Sequence, residues 1–152
     1  MNQSTFRGDK AFLSNFYESN FVVNNKIYAS VEHFFQASKS NNDIDHEQIR
    51  LCNNPSMAKR IGRRIQIRPD WEEQKINIMY TGVYAKFFQN CDLCIKLIKT
   101  YPDILEEVND WNDRFWGIDI KTNKGQNMLG KILMQVRDEL REKLIMERMI
   151  QQ

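Results

Sequence analysis

The chain has 152 residues, a formal net charge of +2 and a composition that is 41% hydrophobic and 28% charged, which suits one globular domain and excludes a disordered chain. So small a net charge does not by itself make a nucleic-acid binder, so any basic site must be local. No apolar run approaches the roughly 18 residues of a bilayer span, and the start, Met-Asn-Gln-Ser-Thr-Phe, lacks a signal pattern. A cytoplasmic, intracellular protein without a membrane association is therefore expected, as a single domain over residues 1–152.

Taken in chain order, Phe21-Val22-Val23, Asn24-Asn25 and Lys26-Ile27-Tyr28 predict a β-hairpin, because asparagine tolerates the positive φ of a tight turn. Ser30 caps a helix running to about Ser40. A short helix follows around Asp45–Cys52. Asn54-Pro55 opens the next, through Met57, Ala58 and Ile61. Pro69 opens a longer one through Trp71, Ile78, Val83 and Phe87. Asp92–Tyr101 reads as another helix, closed before Pro102. Ile104–Val108 reads as a short strand and Asp110–Lys124 as a loop. The last helix begins near Asn127, with Leu129, Ile132, Leu133, Val136, Leu140 and Leu144 on one face. The fold class is mainly α (α+β), a helical domain with a small β-hairpin near its start.

Three segments carry chemistry. On the helix after Ser30, the apolar face is Val31, Phe34 and Phe35, while Glu32, Gln36 and Lys39 share another side at i, i+4 and i+7. A carboxylate, an amide and an amine in line make either a catalytic stripe or a solvated surface with a weak ion pair. The segment 109–117 packs Asp110, Asp113, two amides and the aromatics Trp111, Phe115 and Trp116 into nine positions. Such a loop either offers rings and carboxylates to a ligand or is pinned to the core by its aromatics. Lys59, Arg60, Arg63, Arg64 and Arg68 suit phosphate, or are simply solvated. Cys52, Cys91 and Cys94 form neither a disulfide framework nor a zinc site, for which partners are lacking. No metal and no cofactor are expected.

These motifs together resemble the NADAR/YbiA-like family. Phe12-Leu13-Ser14-Asn15-Phe16-Tyr17 is similar to its opening Ser-Asn-Phe element, and Ser30 through Lys39 to its Ser-x-Glu-His-Tyr-Phe-Gln-Ala-x-Lys helix. Pro55–Arg63, Trp71-Glu72 and Lys86-Phe87 fall at family-like intervals. Asn112–Gly117 resembles the Asn-Asp-x-x-Trp-Gly loop, and Gly125–Arg137 the closing helix. Ser40 and Ile118-Asp119 depart from the family pattern. The resemblance implies an N-glycosidase cleaving a ribosyl C1–N bond: ADP-ribose on a guanine amino group, or a phosphoribosylamino intermediate of riboflavin biosynthesis. It would act on a ribosylated nucleobase or phosphoribosylamine, or on ADP-ribosylated DNA or RNA. It makes Glu32, Asp113 and Lys39 the catalytic candidates. Glu32 would stabilise charge at C1 or activate water, Asp113 would hold ribose hydroxyls or share acid–base work, and Lys39 would offer a Schiff-base route. Asn15, Phe16, His33, Gln36, Arg60, Arg63, Trp116, Gly117 and Asn127 would bind substrate. Rival readings are a non-catalytic ADP-ribose or nucleotide-binding module, a nucleic-acid binder using Lys59–Arg68, and a partner-binding helical protein.

Overall fold

The computed structural model describes residues 5–151. The chain forms two compact units. One is Asn15–Asn90; the other, here the terminal unit, joins the stretch before Asn15 to everything from Cys91 onward.

The Asn15–Asn90 unit begins with the hairpin. Strands β1 (Phe21–Val23) and β2 (Lys26–Tyr28) pair antiparallel in the register Phe21↔Tyr28. The turn residues Asn24 and Asn25 take φ of 51° and 63°, the twist-matched geometry of a two-residue hairpin. Helix α1 spans Val31–Ala37. It is shorter than the expected span to Ser40, because hydroxyls compete for its last turn: Ser38 Oγ donates to Phe34 O, and Ser40 Oγ turns to the Asn42 backbone. Helix α2 (Asp43–Arg50) starts two residues earlier than expected, since Asn42 Oδ1 accepts from the amides of Ile44 and Asp45. Helix α3 (Pro55–Gly62) has the expected Asn cap and proline start. Helix α4 (Trp71–Gln89) begins at Trp71, with Pro69 just ahead of its Asp70 cap.

Helix α1 packs against α2, α3 and α4, and all seven of its residues are buried. Gly82 on α4 permits one of these contacts, because a Cβ there would stand 2.7 Å from Phe34 Cδ1. Phe21, Tyr28 and Phe34 form an aromatic cluster with centroids 5.0–6.0 Å apart, favourable beyond its buried area.

In the terminal unit a 3₁₀ turn covers Gly8–Leu13. Helix α5 is Cys91–Lys99 and α6 is Met128–Gln151, packed on each other. The stripe from Leu129 to Leu140 is buried as its spacing predicts, whereas Leu144 is exposed. Arg137, buried on α6, donates to Thr100 Oγ1 and Asp103 O. The expected strand at 104–108 is displaced: β3 is Val108–Asn109, paired parallel with β4 (Ile118–Asp119) inside the segment expected to be all loop. The three cysteines are free thiols. No described helix is long and apolar enough to cross a membrane.

Candidate active site

Glu32 lies in the first turn of α1, where the helix dipole favours an anion. The start of that turn is built from three bonds. Ser30 Oγ accepts from His33 N, His33 Nδ1 lies 2.7 Å from Ser30 Oγ, and Asn15 O accepts from Glu32 N at 3.0 Å. The Glu32 side chain is only 6% exposed, and its Oε1 accepts from Gln36 Nε2 at 2.8 Å. The i, i+4 pair is thus a buried, charge-assisted hydrogen bond and not the solvated surface that the pattern equally allowed.

Gln36 is held from behind by a residue that the sequence reading did not single out for this role. Its Oε1 has no hydrogen-bond partner and points at Gly62 of α3, where an added Cβ would come within 2.1 Å of it. A glycine there lets α3 approach closely enough to fix the amide against Glu32.

Lys39 follows the end of α1. Its carbonyl accepts from Arg68 N at 2.8 Å, and its Nζ lies 5.6 Å from the Phe35 ring centroid and 5.8 Å from that of Trp71. Burial holds its amine below the ordinary lysine range; the Glu32 carboxylate opposes this, and the charges of Lys59 and Arg63 add to it. Lys39 therefore feels the fields of Glu32, Lys59 and Arg63. Lys59 Nζ also stands 5.9 Å over the half-exposed Phe16 ring. Lys59 and Trp71 extend the set; the i, i+4 step from Lys59 to Arg63 was the signal available in the sequence. Arg60 on α3 and Arg63 at its C-terminal cap are exposed, as phosphate recognition would need.

Within the Asn15–Asn90 unit, then, the structure gathers Glu32, Gln36 and Lys39 with Lys59 and Arg63. Asn15 contributes its carbonyl, and its Nδ2 contacts Met79 Sδ at 3.5 Å. His33 is fully buried, Nε2 meets Cys52 O at 3.1 Å, and Nδ1 meets Ser30. Because a carbonyl only accepts, Nε2 donates, leaving Nδ1 to take the serine proton in the neutral ring. Both nitrogens are occupied by protein, so His33 fixes the start of α1.

Asp113, Trp116, Gly117 and Asn127 belong to the terminal unit. Asp113 Oδ1 accepts from the amides of Phe115 and Trp116 at 3.1 and 2.9 Å, while the Asn109 side chain binds both backbone groups of Asp113. This bonding shapes the loop that carries Phe115 and Trp116, whose rings meet edge to face at 4.7 Å. Gly117 is buried, and a Cβ there would fall within 1.8 Å of Glu107 Oε2. Asn127, at φ 51°, donates to Leu105 O and accepts from Glu107 N, so its amide ties the start of α6 to the segment before β3. Among the described residues no three His, Cys, Asp or Glu side chains cluster to hold a metal.

The fold is mainly helical, and within it a buried Glu–Gln hydrogen bond stands one turn from a lysine of lowered basicity. The sequence model of the NADAR domain matches residues 4–141, and the chain belongs to that family. It is 37% identical over 134 residues to N-glycosidase YbiA of Shigella sonnei, covering 87% of this chain and 82% of that protein. It is 36% identical to a riboflavin biosynthesis protein of Vibrio vulnificus, over 86% of this chain and 36% of that protein. The NMR structure of the Escherichia coli protein YbiA superposes with a TM-score of 0.84 at 34% identity, covering 93% of this chain and 84% of that one. The family thus places the chain among relatives named as hydrolases of N-glycosyl bonds.

Proposed function

We propose that the chain is an N-glycosidase that hydrolyses a ribosyl C1–N bond, with Glu32 and Lys39 as its catalytic residues. The substrate is ADP-ribose on a guanine amino group or a phosphoribosylamino intermediate of riboflavin biosynthesis; a relative named for riboflavin biosynthesis supports the second. The observation that carries the reading is the buried Glu32–Gln36 hydrogen bond with a lysine amine, held toward its neutral form, one turn further on.

Cleaving the bond builds positive charge at C1, and a fixed carboxylate in a site of low polarity stabilises it. The depressed basicity of Lys39 favours the covalent variant. In a ring-opened riboside, Nζ adds to C1, the substrate amine departs with a proton, and the resulting lysine iminium is hydrolysed by water to free sugar and amine. Lys59, Arg60 and Arg63 meet phosphate, since guanidinium grips it bidentately. Phe16 stacks on the base, and Asn15 adds a hydrogen bond.

The test is a parallel assay on guanine-ADP-ribosylated DNA and on the riboflavin-pathway ribosylamine, with borohydride added during turnover. Release of free base or amine, a reduced sugar adduct on Lys39 and its loss in Lys39→Ala are expected. Intact ligand recovered from both would establish a binding module instead. Activity without an adduct, surviving Lys39→Ala, would reject the covalent route. A folded Glu32→Gln with wild-type hydrolysis would reject the assignment of Glu32.

A further inference from the structure

On the covalent route Lys39 has to be neutral in one step and charged in the next. Its Nζ adds to C1 as a neutral amine and becomes a cationic iminium as the substrate amine leaves with one of the lysine protons. Water then returns it as an ammonium and releases the free sugar. The burial that favours the neutral amine also penalises that iminium. The site therefore needs a group that steadies a cation and offers the amine no proton.

Trp71 and Phe35 present such a surface. Their ring centroids lie 5.0 Å apart with the planes inclined at 60°. Lys39 Nζ stands over both rings, 5.8 Å from the Trp71 centroid and 5.6 Å from that of Phe35. The two residues are only 7% and 6% exposed, so little water screens the attraction between ring face and cation. An iminium keeps a single N–H, and a ring face suits it better than a set of hydrogen-bond acceptors does.

The placement is built by the backbone. Lys39 O accepts from Arg68 N at 2.8 Å, and Arg68 O accepts from Trp71 N at 3.2 Å. The Arg68 side chain is clamped to Asp70 by bonds of 2.6 and 2.8 Å. Trp71, the first residue of α4, is thereby fixed beside the residue that follows α1, and Phe35 lies one turn before Lys39. The charges that face Lys39 are Glu32 from α1 and Lys59 and Arg63 from α3 and its cap. Arg68 and Asp70, in the connection to α4, neutralise each other. Of the facing charges only Glu32 favours the cation, and the rings add to it.

We propose that Trp71, together with Phe35, is a positioning residue of the reaction: a buried aromatic wall that holds Lys39 Nζ and stabilises its cationic forms, the iminium included. The inference rests on the reading of Lys39 as the nucleophile and names what offsets the penalty of the buried charge.

The experiment places tryptophans of increasing ring fluorination at position 71 alone. Fluorine drains the negative face of the ring and leaves its size nearly unchanged, so the fold is retained while the attraction weakens. The Lys39 titration is followed by NMR of ¹³Cε-labelled lysine, assigned by the signal lost in Lys39→Ala, and kcat is read at the plateau of the pH profile. The Lys39 pKa should fall stepwise, by roughly half a unit at the tetrafluoro ring, and the plateau kcat should fall about two- to fivefold. A ring that merely buried the amine would leave both unmoved across the series. An unmoved titration would overturn the proposal, as would a titration that moves while the plateau does not. Failure of the nucleophile reading is told apart by Lys39→Ala, which would then stay active while the wild type traps no borohydride adduct.

Discussion

Gly62→Ala tests the idea that a close helix approach sets the catalytic carboxylate. The new Cβ would sit 2.1 Å from Gln36 Oε1, 2.9 Å from its Cδ and 3.3 Å from its Cβ. Only the amide end of Gln36 is free to move, and moving it breaks the 2.8 Å bond to Glu32. Loss of a buried bond to a charged group costs about 1.5–3 kcal/mol. The better helix propensity of alanine returns about 0.5–1 kcal/mol. A net loss of about 1–2 kcal/mol follows, or roughly 2–8 °C in Tm for a chain of this size. A Glu32 carboxylate displaced by an ångström costs about tenfold to a hundredfold in kcat/KM. The assay is a double-mutant cycle with Gln36→Ala, reading both Tm and kcat/KM. In the Gln36→Ala background the added methyl meets no amide, only the retained Cβ at 3.3 Å, so Gly62→Ala should then cost much less. Additive losses, or a single Gly62→Ala variant with wild-type Tm and kcat/KM, would refute the reasoning.

Lys59→Met removes a charge that depresses Lys39, so the Lys39 pKa rises and the ascending limb of kcat/KM against pH moves to higher pH; an unmoved limb counts against Lys39 as the titrating nucleophile. Lys86 is 1% exposed, and burial pushes its amine down to about 7. Above that pH the unfolded chain holds a proton that the folded chain does not, so stability rises from about pH 7 toward the unfolded lysine value of roughly 10.4. Lys86→Met should stabilise the protein at pH 7 by about 1–4 kcal/mol and flatten that rise in denaturant titrations. His33→Leu strands Ser30 and the Cys52 carbonyl and should cost about 2–4 kcal/mol by urea unfolding, with KM of the folded fraction unchanged. Asn127→Ala should cost a similar amount, since two buried backbone groups, Leu105 O and Glu107 N, lose their partner.

Local chemistry was legible wherever it is decided within a few residues. Asn24-Asn25 dictated the hairpin turn because asparagine accepts positive φ. Ser30 and Asn54 dictated helix starts because a short side-chain oxygen reaches the free amides of the first turn. The period of Leu129–Leu140 dictated the buried face of α6. Ends of elements were less legible: α1 stops early because the Ser38 hydroxyl competes for the Phe34 carbonyl and Ser40 turns to the Asn42 backbone. The pairing of β3 with β4 links residues ten apart, and nothing in two residues' own preferences announces it.

The candidate site divides along the same line. The sequence by itself put Glu32, Gln36 and Lys39 on one side of one helix, because helical geometry follows from spacing alone. Only the tertiary structure decided that this polar side is buried, since it takes α3, brought close by Gly62, to cover Gln36 and to bring Lys59 and Arg63 within the field of Lys39. Whether a polar stripe meets water or protein depends on what the rest of the chain packs against it, and that is a property of contacts between elements, which a periodicity cannot encode.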